Sequence, residues 1–399
     1  MATFAFYVNE FPSGGTGTAV QYTANELTKA GHEVIVYTAR HFSEQYPKGY
    51  QPQFQVVVVP SINPNTAENI AFLSHHLNEH HVQALVVVAM HFLRMKELKD
   101  QTSTKMVYAL HGMPFYEAFD AALCKRKEAE QPGRWGLWIS YWLLHHWRNK
   151  WFHSSRKKIS YIYRETIAAT DRYVVLCDEY VHSLNKVLHL SNADARKLCV
   201  IPNGIFMKET PRLEKEKMIL FVGRLTYDDK RPMRLVDIWS RIYKQLPDWR
   251  FIVVGDGPEK SAMEEAVRQQ SIERMEFPGF STDTVSYYQK ASIVCLTSQY
   301  EGWPLCLAEG QAYGAVPIAY GCSAGILDII SPSGVNGIAV PPYNCASYAK
   351  QLLHLAQNEE LLAQMRQHVM EKAKTYAMHR NSEGYRRLVE ELIYPQTIR

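Results

Sequence analysis

The sequence predicts an α/β protein of two consecutive domains, each built on a doubly wound parallel sheet. The 399 residues are too many for one ordinary hydrophobic core and suit two. Short Val- and Ile-rich runs alternate with helical patterns, which is typical of a parallel sheet covered on both faces. The alternation restarts after the charged stretch Lys208–Lys217, so we expect domains over residues 1–207 and 208–376 that face a central cleft.

In the first domain, continuous apolar runs predict buried strands, and longer periodic segments between them predict helices. The predicted strands are Thr3–Val8, Glu33–Tyr37, Gln53–Pro60, Ala84–Ala89, Met106–Leu110, Tyr173–Leu176 and Leu198–Ile201. The predicted helices are Thr18–Ala30 and Thr66–Glu79.

The second domain repeats the same alternation of apolar runs and helical patterns. The predicted strands are Met218–Val222, Phe251–Val254, Met275–Phe277, Ile293–Thr297, Val316–Ala319 and Ile338–Val340. The predicted helices include Pro232–Leu246, Glu259–Gln270 and Leu305–Tyr313.

The composition is that of an ordinary globular protein, with 46% hydrophobic and 21% charged residues. A net charge of +4 gives no case for a nucleic-acid partner. No apolar run approaches the roughly 20 residues that span a bilayer. The segment Met1–Glu10 lacks a basic flank and indicates a first strand, not a signal peptide. The seven scattered cysteines indicate reduced thiols, so we expect a cytoplasmic protein.

One segment, from Leu123 to Arg164, departs from this alternation because it combines tryptophans with basic residues. Aromatic rings interleaved with cations suit the headgroup level of an anionic membrane. We therefore expect Trp135–Lys158 to contact the inner face of the plasma membrane as a peripheral surface. The alternative is an amphipathic helix whose tryptophans pack in the core. The tryptophans concerned are Trp135, Trp138, Trp142, Trp147 and Trp151.

The strongest chemical signal is Glu301-Gly-Trp-Pro-Leu-Cys-Leu-Ala-Glu309, directly after a predicted strand. Pro304 suits the first turn of a helix, whose free N–H groups favour anionic or hydroxyl-rich ligands. A carboxylate can accept hydrogen bonds from both hydroxyls of a vicinal diol, so one glutamate suits a sugar and the other a ribose. The alternative is a pair of surface glutamates beside a helix. The backbone candidates are Gly302, Trp303, Pro304 and Leu305.

A second signal is Phe221-Val-Gly-Arg-Leu-Thr-Tyr-Asp-Asp-Lys230, at the end of the first strand of the second domain. Arg224 offers a planar fork for phosphate oxygens and Lys230 a mobile charge. Two cations would stabilise a diphosphate leaving group most in the transition state. The alternative is a surface salt bridge with Asp228 or Asp229.

A third signal is the glycine-rich stretch Pro12-Ser-Gly-Gly-Thr-Gly-Thr18 after the first strand. Gly15 and Thr16 would approach a phosphate or the acceptor at the N-terminus of the following helix. The same position also starts a nicotinamide-binding fold, which leaves an NADPH-dependent reductase as an alternative. However, the third glycine of GxGxxG is missing, and no acidic residue ends the second strand.

His111 follows the strand Met106–Leu110, at the edge where open α/β sheets bind ligands. We count it as a candidate catalytic residue, although a hydrogen-bonded structural histidine is the alternative. No HExxH or clustered Cys/His motif is present, and the His-His pairs lack a third ligand at a useful spacing. We therefore expect no metal and no cofactor.

The chain resembles the retaining glycosyltransferases of family 4, which have the GT-B architecture of two Rossmann-like domains. The likeness covers nearly the whole second domain and the start of the first. The segment from about Leu123 to Ile167 matches no part of the family pattern. The likeness is carried by Gly14-Gly-Thr16, Gly31-His-Glu-Val34, Ile201-Pro-Asn-Gly204, Val222-Gly-Arg224 with Lys230, Val254-Gly-Asp-Gly-Pro258, Phe277-Pro-Gly279, Thr297-Ser-Gln-Tyr-Glu-Gly-Trp-Pro304 with Glu309, and Gly314-Ala-Val-Pro-Ile318.

The resemblance implies a role for each candidate residue. Arg224 and Lys230 would bind the donor diphosphate, and Glu309 the ribose. Glu301 and the backbone from Gly302 to Leu305 would bind the transferred sugar. Gly15 would close on the phosphates, Phe280 would lie near the base, and His111 near the sugar and acceptor. A C-terminal crossover helix, around Arg380–Leu392 and within residues 377–399, would return to the first domain.

The implied reaction is metal-independent transfer of a hexose or N-acetylhexosamine from a nucleoside-diphosphate sugar, a UDP-sugar, to a saccharide or lipid-linked acceptor with retention of configuration. The sequences of these motifs are most like those of transferases in bacterial capsule, exopolysaccharide or lipopolysaccharide synthesis. Two positions depart from the pattern: Lys230 precedes Arg231-Pro232 where Gly is common, and Asp328 stands where Glu is common. An epimerase or hydrolase of the same fold is a further alternative.

Overall fold

The computed structural model describes residues 2–46, 50–117, 154–206 and 210–394. Its chain divides into two compact units, Met1–Pro202 with Ser382–Arg399, and Asn203–Asn381. The first boundary therefore lies at residues 202–203, whereas the sequence analysis places it at residues 207–208. Most of the Trp/basic segment Trp135–Lys158 lies outside the described residues.

The described part of the first unit contains a seven-stranded parallel sheet in the order β3-β2-β1-β4-β5-β6-β7. Its strands are β1 (Thr3–Phe11), β2 (Glu33–His41), β3 (Gln55–Val58), β4 (Ala84–Val88), β5 (Lys105–Ala109), β6 (Arg172–Val175) and β7 (Leu198–Val200). Its helices are α1 (Gly14–Lys29), α2 (Ala67–Glu79), α3 (Met95–Gln101), α4 (Ser154–Ala169), α5 (Asp178–Leu188) and α6 (Asn192–Ala195).

The second unit contains a six-stranded parallel sheet in the order β10-β9-β8-β11-β12-β13 within the described residues. Its strands are β8 (Met218–Val222), β9 (Arg250–Val254), β10 (Met275–Gly279), β11 (Ile293–Leu296), β12 (Val316–Tyr320) and β13 (Ile338–Val340). Its helices are α7 (Met233–Ile242), α8 (Lys260–Gln269), α9 (Thr284–Lys290), α10 (Leu305–Ala312), α11 (Ala324–Ile330), α12 (Cys345–Gln357) and α13 (Glu359–Lys374).

The C-terminal helix α14 (Met378–Ile393) begins in the second unit, and its residues from Ser382 belong to the first. Tyr385 and Val389 of this helix lie in the apolar core of the first unit with strands β1, β2 and β4. Each core strand is an apolar run because helices cover both faces of a parallel sheet. The predicted fold class of two doubly wound α/β domains is confirmed.

Helix α1 begins at Gly14, four residues before the predicted start at Thr18. Glycines usually predict a loop, but here they form the first turn of the helix. The N–H of Gly17 donates to the Ser13 carbonyl over 3.1 Å, which makes an early helical bond. A Cβ on Gly17 would lie 3.2 Å from the carbonyl carbon of Pro12, so the close approach of the backbone favours glycine.

Candidate functional site

The site in the second unit lies where the strand order reverses. Strands β8 and β11 are neighbours, although β9 and β10 come between them in sequence and lie on the other side of β8. Open α/β sheets bind ligands at the carboxyl ends of strands at such a switch point. The loop after β8 carries Arg224 and Lys230, and the loop after β11 carries Glu301.

The central contact of this site is an ion pair between Lys230 and Glu301. The Lys230 Nζ lies 2.5 Å from Glu301 Oε1, and the Ser298 hydroxyl donates to the same oxygen over 2.6 Å. The side chains of Lys230 and Glu301 are 16% and 11% exposed. Burial by itself lowers the pKa of the Lys230 ammonium, but Glu301, together with Cys306 and Asp229, outweighs burial, and the net pKa lies above the ordinary value. The ammonium is therefore a fixed positive charge.

Backbone and side-chain bonds hold the two loops together. The N–H of Gln299 donates to the Asp229 carbonyl over 2.6 Å. The Arg234 guanidinium donates to the Thr297 carbonyl over 2.9 Å and to Gln299 Oε1 over 2.7 Å. Sequence analysis missed Arg234, Gln299 and Ser298, although their positions beside the two motifs were a usable signal.

Arg224 is placed differently from Lys230. Its side chain is 71% exposed and pairs with Asp229 over 3.0 Å. The surface salt bridge considered in the sequence analysis is therefore present for Arg224, whereas Lys230 pairs with Glu301. An exposed guanidinium at this edge can still turn toward an anion, because exposed ion pairs are weak.

Two glycines control the shape of the loops. A Cβ on Gly325 would lie 1.8 Å from the Gly302 carbonyl oxygen. A Cβ on Gly255 would lie 1.9 Å from the Gly223 carbonyl oxygen, and Gly255 has a φ of +144°. Both loops of the site thus pass so close to neighbouring backbone that a side chain there would displace them.

Helix α10 starts at the mouth of the site and carries Glu309. Pro304 is its N-cap with a φ of −73°, and the helix begins at Leu305, as the sequence predicts. A Cβ on Gly310 would lie 2.7 Å from Val294 Cγ1, so glycine lets the helix pack directly on β11. The Glu309 Oε2 accepts a hydrogen bond of 3.0 Å from the Tyr288 hydroxyl. Burial raises the pKa of the Cys306 thiol to about 12, so the thiol stays neutral.

The Trp303 side chain is buried and turned into the protein. Its indole Nε1 donates to Asp328 Oδ2 over 3.0 Å, and its ring meets Tyr376 edge-on at 4.9 Å between centroids. Trp303 can therefore offer its backbone, but not its ring, to a ligand. Phe280, just after β10, is 74% exposed and leaves its ring open for stacking.

The first unit places three candidate residues at the carboxyl edge of its own sheet. Gly15 and Thr16 lie in the first turn of α1, where helix N–H groups are not used by the helix. His111 follows β5, and burial lowers the pKa of its imidazole to about 4. The His111 ring is therefore neutral near pH 7.

The same edge holds a polar group that sequence analysis missed. His91 Nε2 lies 3.6 Å from Glu117 Oε1, and the Tyr163 hydroxyl lies 3.2 Å from Glu117 Oε2. The Phe115 N–H donates to the Tyr163 oxygen over 3.1 Å. These residues come from separate segments with no shared motif, so no sequence signal brought them together.

Within the described ranges, no group of three or more His, Cys, Asp or Glu side chains is arranged to hold a metal ion. In the same part of the chain, no helix combines the length and apolar character needed to cross a membrane.

Comparison with known proteins follows the same division of the chain. Residues 13–208 match the family described as Glycosyltransferase Family 4, and residues 204–374 match the family described as Glycosyl transferases group 1. The chain belongs to the GT-B glycosyltransferases. The GT-B glycosyltransferase family that the sequence motifs indicate is thereby confirmed.

Curated members of this glycosyltransferase group share part of the sequence. An amylovoran biosynthesis glycosyltransferase of Erwinia amylovora is 32% identical over 163 residues, 41% of this chain and 45% of that protein. An alpha-1,4-N-acetyl-D-galactosaminyltransferase of Campylobacter jejuni, named for a PP-undecaprenol-linked saccharide, is 26% identical over 45% of this chain and 49% of its own. The chain thus spans less than half the length of these two relatives.

A solved structure shares the fold over nearly the whole chain. The Anabaena protein HepE, crystallised in complex with UDP-glucose, superposes with a TM-score of 0.73 over 98% of this chain and 100% of its own. Its sequence is only 14% identical, so this likeness concerns the fold alone.

Proposed function

We propose that the protein transfers a hexose or N-acetylhexosamine from a UDP-sugar to a saccharide or lipid-linked saccharide, with retention of anomeric configuration. In this proposal the product contributes to a bacterial surface polysaccharide. The observation that carries the proposal is the Lys230–Glu301 pair, buried at the switch point of the second sheet. The Anabaena structure with UDP-glucose and the polysaccharide relatives support the donor and the pathway class.

In this proposal Lys230 binds the donor diphosphate without giving up Glu301. A lysine ammonium has three N–H donors, so one can point to Glu301 Oε1 and another to a phosphate oxygen. Ser298 and Lys230 both donate to Glu301 Oε1, which orients the carboxylate. The Glu301 carboxylate can then accept a hydrogen bond from a sugar hydroxyl. Arg224 would exchange Asp229 for a phosphate oxygen, which costs little for an exposed pair.

The remaining donor contacts are assigned by position. Glu309 would accept the ribose hydroxyls, and the exposed Phe280 ring would stack on the base. The backbone from Gly302 to Leu305 would bind the transferred sugar at the start of α10. Gly15 and Thr16 would contribute N–H groups from the first unit to the phosphates or acceptor.

The chemical step breaks the bond between the anomeric carbon and the diphosphate oxygen and forms a bond to the acceptor hydroxyl on the same face. The proton of that hydroxyl passes to the leaving phosphate. Lys230 and Arg224 stabilise the negative charge that develops on the diphosphate. No metal ion or cofactor takes part in this proposal. His111, with its lowered pKa, acts as a neutral hydrogen-bonding group near the sugar and acceptor.

In the lipid-linked case of the proposed reaction, the acceptor is bound to a membrane lipid. A lipid-linked acceptor would be met at the cytoplasmic face of the plasma membrane, and Trp135–Lys158 would provide a peripheral contact with anionic lipid. The undecaprenol-linked saccharide in the name of the Campylobacter jejuni relative supports this acceptor class. Lys157 belongs to this segment, lies near the start of α4 and is exposed.

The decisive experiment is calorimetric titration of the protein with UDP, GDP, ADP and NADPH in the absence of added metal. We expect UDP to bind and Glu309→Ala to weaken that binding. Binding of NADPH with no nucleoside diphosphate recognised would overturn the proposal in favour of a reductase.

The membrane contact is tested by sedimentation of the protein with phosphatidylglycerol vesicles, and we expect this binding to weaken as salt is added. Absence of binding to these vesicles at low salt would return the Trp/basic segment to a core-packing role.

A further inference from the structure

Behind the proposed ribose carboxylate lies a buried tyrosine. Tyr288, on α9, is 1% exposed and donates its hydroxyl hydrogen to Glu309 Oε2 over 3.0 Å. The two residues are 21 positions apart and sit on different helices. Tyr288 belongs to none of the sequence motifs, and none of the roles proposed above involves it.

Tyr288 is held through both its ring and its backbone. It stacks on Tyr313, with the planes 5° apart and the centroids separated by 6.3 Å. The backbone carbonyls of Tyr288 and Gln289 accept hydrogen bonds from Lys215 Nζ over 3.1 and 2.8 Å, and the same ammonium bonds the Tyr313 carbonyl. A single lysine side chain, whose pKa burial lowers to about 7, thus joins the C-terminal ends of α9 and α10.

This arrangement fixes the orientation of Glu309. A glutamate side chain has several rotamers, and ordering them on ligand binding lowers affinity. A hydrogen bond from an immobile hydroxyl selects one orientation before the ligand arrives. A carboxylate has about four lone-pair sites, so a bond to Tyr288 leaves enough acceptor capacity for two ligand hydroxyls.

We propose that Tyr288 is a positioning residue that holds the Glu309 carboxylate ready to accept both ribose hydroxyls of a nucleoside diphosphate. This inference rests on the proposed function, because it assigns Glu309 to the ribose. It gives Tyr288 an effect on nucleotide affinity that depends on the hydroxyls of the ligand. A tyrosine that only fills the core would not discriminate between ligands with and without those hydroxyls.

The test is Tyr288→Phe, which keeps the stacked ring and removes only the hydroxyl. Calorimetry would compare UDP, GDP or ADP, whichever the wild-type protein binds, with the 2′,3′-dideoxy form of the same nucleotide. We expect about tenfold weaker binding of the ribonucleotide and unchanged binding of the dideoxy analogue. In a Glu309→Gln background, Tyr288→Phe should have a much smaller effect, because the charged acceptor is gone.

The matched control is Tyr243→Phe, which removes another buried tyrosine hydroxyl from the same unit, bonded to the Ser271 carbonyl. It should leave the affinity for both ligands unchanged. Equal affinity of Tyr288→Phe and wild type for the ribonucleotide would overturn the inference. So would a loss of equal size for both ligands, which indicates a structural role. Failure of the wild type to bind any of the three nucleotides would instead count against the proposed function itself.

Discussion

The Lys230 ammonium and the Glu301 carboxylate lie 2.5 Å apart although the two residues are 71 positions apart in sequence. Each follows a strand of the second sheet, and the pairing of β8 with β11 brings the two loops together. Both side chains are largely shielded from solvent, so their charges interact more strongly than an exposed pair would. The pair therefore couples the proposed phosphate site to the proposed sugar site.

Lys230→Ala should lower turnover more than it lowers donor affinity. The ammonium acts mainly on the charge of the departing diphosphate, so its loss raises the barrier to bond cleavage. We expect a decrease in kcat of at least about tenfold. Release of UDP from the donor measures kcat and KM, and Lys244→Ala, an exposed lysine on the same unit, serves as the control. A rise in KM with unchanged kcat would mean that Lys230 binds the ground state and the transition state equally.

Glu309→Ala should weaken nucleotide binding by about 1.5–3 kcal/mol, because ribose hydroxyls lose a charged acceptor. Glu309→Gln keeps a neutral acceptor of the same length and should fall between the alanine variant and the wild type. Titration with UDP measures all three affinities. If the alanine variant binds UDP as the wild type does, the ribose lies elsewhere.

Gly325→Ala should impair donor binding and turnover without removing any group that contacts a ligand. Its Cβ would meet the Gly302 carbonyl oxygen at 1.8 Å, so the loop that carries Glu301 must shift. We expect a loss of turnover of about a hundredfold, since small misplacements at a site are costly. Leu327→Ala changes an exposed position on the same helix and is the control. Unchanged kinetics in the glycine variant would show that the loop tolerates the shift.

Sequence patterns predicted the strands well because each is a short apolar run that the parallel sheet buries on both faces. They failed at the start of α1, where the close approach of Gly17 to Pro12 requires glycine within a helix. The sequence brought Glu301 and Lys230 into one proposed site, but their direct ion pair depends on strand order, which local patterns do not report.

The sequence analysis counts Trp303 as a backbone candidate and does not report where its ring lies. The structure buries that ring against Tyr376. The structure also accounts for Asp328, the position that departs from the family pattern, because its carboxylate accepts the indole N–H. The group of His91, Glu117 and Tyr163 had no motif at all and appears only once the first sheet is assembled.

Trp303 and Asp328 should be energetically coupled. Trp303→Phe removes the indole donor and leaves a carboxylate oxygen without that bond, which costs about 1–3 kcal/mol of unfolding free energy. In Asp328→Ala the donor is left unpaired, with a similar cost. Urea unfolding of both single variants and the double variant gives the coupling, which we expect to be about 1 kcal/mol. Strictly additive losses would mean that the bond contributes nothing beyond packing.

The stability of the protein should fall in mild acid because of His111. Burial lowers the pKa of the folded imidazole to about 4, while the unfolded residue titrates near 6.5. Below about pH 6.5 the unfolded chain binds a proton that the folded chain does not, so unfolding becomes more favourable as pH drops toward 4. From about pH 7.5 to about pH 5 this amounts to a loss of about 2 kcal/mol of unfolding free energy.

The variant His111→Asn tests this prediction because asparagine does not titrate. The difference in unfolding free energy between wild type and variant should therefore shrink by about 2 kcal/mol over the same pH range. Urea unfolding of both proteins at the two pH values measures this difference, with His75→Asn, an exposed histidine, as the control. A difference that stays constant with pH would show that the His111 imidazole titrates as it does in water.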